Sequence, residues 1–167
     1  MEPKLFAIAG FVLFAALCAV AQTGQQKSFD AMKSLAGTWT GKNSMGGPIQ
    51  VSYRTTAAGS VLFGEIQLEM QGRSEDMISM IHMDGDRLLL THYCEAGNQP
   101  RMSATASPDG KTITFNFLDA TNLISPDAGH MHRVVFTFVD ANHHTEDWQF
   151  LDHGKEMVEH FDLQKKS

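Results

Sequence analysis

From Gly37 onward the chain alternates apolar and polar positions with a period of two, the pattern of strands that bury one face. Ile113, Phe115 and Phe117 share a phase in one run, Val134, Phe136 and Phe138 in the next, and Trp148 with Phe150 in the one after that. Ten such runs can be cut, over residues 37–45, 49–57, 60–69, 76–83, 87–94, 101–107, 111–118, 130–140, 144–151 and 155–163. Between them lie compact reversals, Ala58-Gly59, Asp84-Gly85-Asp86, Pro108-Asp109-Gly110 and Asp152-His153-Gly154, in which glycine supplies positive φ. One stretch has helical spacing instead: Phe29, Met32 and Leu35 within residues 28–35, behind Ser28 as a cap. With no later helix to carry a parallel crossover, the strands form an antiparallel meander. A row of ten strands leaves two raw edges unless the sheet closes. The expected fold is therefore all-β, a ten-stranded antiparallel up-and-down β-barrel with a short N-terminal helix. A two-sheet sandwich is the alternative, since alternation is the same in both.

Strand parity then sorts the connections. Those after even strands are short, whereas those after odd strands include the longer pieces 71–75, 95–100 and 119–129. One end of the barrel is thus expected to be tight and the other to carry the loops that rim a mouth. His92 and Cys94 finish an odd strand, and His130 and His132 begin an even one, so parity brings both pairs to the mouth. The apolar phase of the eighth strand continues through His130 and His132 to the inside. In the fifth strand Leu88, Leu90, His92 and Cys94 form one candidate inward set, although Leu89 and Tyr93 allow the opposite phase. The interior is expected to be mostly apolar and aromatic at depth, with Glu146 and Glu159 as carboxylates that can also face inward and, beside a histidine, do general acid-base work.

Before the barrel, Lys4 leads into an apolar run and Ala19-Val20-Ala21 forms a small-x-small cleavage pattern, the marks of a secretory signal peptide over residues 1–21. Residues 22–27 read as a polar linker and 28–167 as a single domain. The apolar run is shorter than the ~20 residues of a membrane span, so no stable span is expected in the mature chain. An exported chain, periplasmic or extracellular, would then hold Cys94 as its one cysteine. Such a solitary thiol is buried, bonded to another molecule, or held as a ligand. A formal net charge of -6 argues against nucleic acid, whose phosphates need a basic face.

An apolar lumen with converging polar groups at its opening is the general design of a small-molecule pocket, and a small hydrophobic molecule is the expected partner. His92, Cys94, Asn98, Gln99, Arg101, Met102, Asn122, His130 and His132 are the candidate contacts. Asn98, Gln99 and Asn122 have the competing option of bonding their own loops. A second reading uses His92, Cys94, His130 and His132 as ligands of zinc, copper or haem, because imidazole and thiolate suit those centres. Neighbouring strands ~4.8 Å apart put the fifth and eighth about 14 Å apart along the wall, which makes a single shared ion demanding. A third reading makes Cys94 a nucleophile activated by His92. No catalytic elbow, phosphate loop or HExxH helix accompanies it. His82, His143, His144, His153 and His160 read as surface or tight-end positions without a role.

The run Leu35-Ala36-Gly37-Thr38-Trp39-Thr40-Gly41, after a short helix and opening the first strand, resembles the Gly-x-Trp start of the calycin superfamily. That resemblance implies that Trp39 plugs the closed end of the barrel. The segment from Thr91 to Met102, with Gly129-His130-Met131-His132, resembles a group of exported bacterial calycin-like proteins without an established activity. The haem-binding nitrobindin group is similar in its Gly-Thr-Trp strand and ten-stranded barrel, but its ligand histidine has no identifiable position here. Fatty-acid-binding proteins share the meander, yet their carboxylate-reading arginines have no clear counterpart around Arg101 and Arg133.

Overall fold

Each strand hydrogen-bonds antiparallel to the next, and the last returns to the first, so the sheet closes into a barrel in a computed structural model that describes residues 24–70 and 72–167. The expected signal segment, 1–21, lies outside the described residues. A helix α1 (Gly24–Lys33) precedes β1 (Gly37–Lys42), β2 (Pro48–Thr56), β3 (Val61–Met70), β4 (Arg73–Asp84) and β5 (Arg87–Tyr93). The second half is β6 (Gln99–Ala106), β7 (Thr112–Thr121), β8 (His130–Asp140), β9 (His143–Asp152) and β10 (Lys155–Lys165). The ten-stranded meander and its order are those expected from alternation and turn chemistry, and closure excludes the sandwich. No described helix is long and apolar enough to cross a membrane.

Two local expectations change. The helix starts at Gly24, so Ser28 lies inside it, bonding Oγ to the Gly24 carbonyl at 3.1 Å, and does not cap it. Polar residues read as linker extend the helix because Gln25 Nε2 fastens its first turn to the Ala104 carbonyl of β6, a contact that spacing does not register. The apolar triad is as expected: Phe29, Met32 and Leu35 are all buried. Of the segment expected as a mouth loop, 71–75, Arg73, Ser74 and Glu75 belong to β4, with Arg73 paired to Met70 and Ser74 to Glu69.

The tight end is closed by α1, which packs on β2, β4, β5 and β6. Just beneath it Trp39 is buried, and its indole N–H donates to the Leu35 carbonyl at 2.7 Å, joining the end of the helix segment to β1. The barrel seam runs between β1 and β10, with Trp39 opposite Lys165 and Gly41 opposite Leu163. At Gly41 the strands pass so closely that a Cβ would stand 1.8 Å from the Asp162 carbonyl oxygen, which is why the seam takes glycine there. Register shifts interrupt pairing between Arg101 and Met102 on β6 and between Met131 and Arg133 on β8. These bulges re-aim side chains at the mouth.

Candidate functional site

At the open end the lumen widens into a cavity of about 520 Å³. Leu68 from β3, Met77 from β4, Met131 from β8, Trp148 and Phe150 from β9 and Phe161 from β10 make its apolar wall. Cys94 and three carboxylates, Glu75, Glu95 and Glu159, also line it. Alternation positions this wall: Ile66 and Leu68 keep one phase of β3, Met77 and Ser79 one phase of β4, and Phe161 and Leu163 one phase of β10. Sequence reasoning had placed Trp148 and Phe150 inside but had not brought Leu68, Met77 and Phe161 to the mouth. Their alternation and the parity of their strands carried that signal. Burial and the nearby Glu95 charge raise the Glu75 carboxyl, against an opposing effect of Arg73.

The phase of β5 is settled by contacts across the barrel. His92 is fully buried, its Nδ1 lies 3.0 Å from Ser79 Oγ on β4, and its ring is 4.8 Å from that of Trp148 on β9. Leu88, Leu90 and His92 therefore face inward and Cys94 lines the cavity above them. His92 Nε2, directed away from Ser79, is buried with no hydrogen-bond partner. Burial lowers the imidazole pKa from 6.5 to about 4, so His92 is neutral at pH 7. Cys94 is half-buried and free. Desolvation raises its thiol pKa, and the Glu75 and Glu95 charges push it the same way, outweighing one backbone hydrogen bond at Ala96. A neutral imidazole beside a thiol held protonated does not generate a thiolate.

Below Trp148 the mostly apolar lumen holds a polar cluster, with His144, Glu146 and Trp148 sharing the buried phase of β9. Glu146 is fully buried and accepts three hydrogen bonds, from Tyr53 Oη at 2.7 Å, His144 Nε2 at 2.9 Å and Trp148 Nε1 at 2.8 Å. Three donors replace the water a buried carboxylate loses. His144, read from sequence as a position without a role, is buried and set edge-on against Trp39 at 4.3 Å. Burial and the Glu146 charge raise the Tyr53 phenol well above its ordinary value, keeping it a donor. The network thus runs from the cavity floor, through Trp148, to the plug at the tight end. By contrast His143, His153 and His160 lie at the surface beside Asp162, Asp152 and Asp147.

His130 and His132 are at the mouth end, as parity required, but the β8 bulge places Met131 opposite Phe150 and on the cavity wall. The two histidines pack on Phe117, His130 at 4.5 Å and His132 at 5.6 Å between ring centroids, and His130 Nδ1 bonds the Ala128 carbonyl at 2.8 Å. Met102 is wholly buried in the core. The remaining rim candidates bond across the loops: Asn98 Nδ2 to the Gly129 carbonyl at 2.8 Å, and Asn122 Nδ2 to the Gly97 carbonyl at 2.7 Å. Gln99 accepts from Thr121 Oγ1 at 2.6 Å, and Arg101 pairs with Asp119 on the outside.

Among the described residues no group of three or more His, Cys, Asp or Glu side chains is arranged to hold a metal ion. The described residues lining the cavity include no histidine, so a haem held there through imidazole finds no ligand; the soft donors on its wall include Cys94, Met77 and Met131. Compared with known proteins, the chain matches no family model and no curated protein.

Proposed function

We propose that this protein is an exported, calycin-like barrel that holds a small, largely apolar molecule in the cavity at its open end. One observation carries the reading: a barrel plugged at one end opens at the other into about 520 Å³ walled by Leu68, Met77, Met131, Trp148, Phe150 and Phe161. Small-molecule sites occupy roughly 300–1,000 Å³ and are mostly apolar with a few polar groups. Calycin kinship is supported by the Gly37-Thr38-Trp39 opening, the ten-strand meander and the place of Trp39 under the helix. Binding is favoured over nucleophilic catalysis because burial keeps His92 neutral and the Cys94 thiol protonated.

Native mass spectrometry of protein purified from its exporting compartment, followed by release of the guest on denaturation, tests the reading. A retained organic mass is the expected result. Titration with a neutral naphthylamine dye should change Trp148 fluorescence, and Met77→Trp, which fills the cavity, should weaken the dye by about tenfold or more. An empty protein that gives no dye response would remove the proposal.

A further inference from the structure

The cavity wall has a charge of one sign. Glu75, Glu95 and Glu159 line it, while the described lining residues include no lysine, arginine or histidine. The arginines that a carboxylate guest would need are elsewhere: Arg101 is paired with Asp119, Arg87 with Asp84, and Arg54 lies over the Phe63 ring. Arg73 is felt by Glu75 but does not line the cavity. Glu159 Oε1 accepts the Ser44 N–H at 2.8 Å, which fixes one carboxylate in place beside the opening. On the wall next to these groups are the rings of Trp148, Phe150 and Phe161, whose faces attract cations as well as hydrocarbon.

We infer that the guest is an organic cation, a primary or quaternary ammonium on an apolar body. The inference rests on the cavity-binding reading above and names its ligand class. The apolar body lies against the aromatic and methionine wall, and the ammonium sits among the carboxylates at the rim. A cation there relieves the repulsion between Glu75 and Glu95, whereas a carboxylate guest adds to it.

The test compares decylamine, decanol and decanoate, matched in chain and differing in charge, by Trp148 fluorescence in the purified protein. Trp148→Phe serves as the blank. The amine should bind about tenfold or more tightly than the carboxylate, and the preference should shrink to roughly threefold or less in a Glu75→Gln, Glu95→Gln double variant. Decanoate or decanol binding as tightly as the amine would overturn the cation assignment and leave the cavity reading standing. An undiminished preference in the double variant would overturn the role of these two carboxylates. Silence toward all three compounds would take down the cavity reading together with the inference.

Discussion

His92 is the residue whose state depends most simply on its surroundings. Its folded pKa of about 4 lies below the ordinary 6.5, so the unfolded chain takes up the proton first as pH falls. Stability from this group is therefore complete above about pH 6.5 and drains away between there and about pH 4, to an extent on the order of 3 kcal/mol. Urea denaturation at pH 7 and pH 4.5 should show that loss, and a His92→Phe, Ser79→Ala double variant should show a smaller one. Equal losses in both proteins would refute the assignment. Glu146 makes the complementary case. Glu146→Ala strands three donors, and chemical denaturation should record a loss of about 3–5 kcal/mol. Tyr53→Phe, which removes one donor only, should cost about 1–3 kcal/mol. Sequence placed Trp148 and Phe150 inside, and the same phase runs back through Glu146 and His144. A polar residue on an apolar phase does not reveal whether a partner awaits it, and Tyr53 comes from a strand 93 positions away in the chain.

At the scale of the element, the closing seam is the most exacting feature. Gly41→Ala should push β1 from β10, because its Cβ would meet the Asp162 carbonyl, a main-chain atom that cannot rotate aside. A destabilisation on the order of 3 kcal/mol, with hydrogen exchange accelerated first in those two strands, is the expected outcome. Unchanged exchange at Thr40 and Leu163 would contradict it. The same scale shows why most strands were legible and their ends less so. Alternation and turn residues marked ten runs, but Arg73, Ser74 and Glu75 offer no apolar alternation and still pair with β3. Neither does spacing announce a bulge. One extra residue near His132 is enough to put Met131 on the wall where the uninterrupted phase had put two histidines.

For the whole molecule, closure and strand parity were legible because they follow from counting strands and turns. Both histidine-bearing segments do share the mouth end. Which side chains line the cavity was less so, because the wall is assembled from β3, β4, β8, β9 and β10, strands that meet only once the barrel is closed. Cys94 reports on the assembled chamber. Its raised thiol pKa and half-burial predict maleimide labelling at pH 7 at least about tenfold slower than a free peptide thiol, quickening as pH rises. Peptide mass mapping follows the site, and a bound guest should slow it further. Labelling as fast as the free thiol would show that the chamber is open to bulk water.

The cross-loop bonds at the mouth carry one more consequence. Asn98 and Asn122 stitch two of its loops together, His153 N–H ties the next turn to the Asp127 carbonyl, and Ser44 is bonded to both Glu159 and the His160 N–H. A perimeter braced in this way has a bore set by main-chain geometry and not by swinging flaps. Admission should then be decided by girth: slender or flat molecules pass, and bulky branched or caged bodies of the same polarity are turned away.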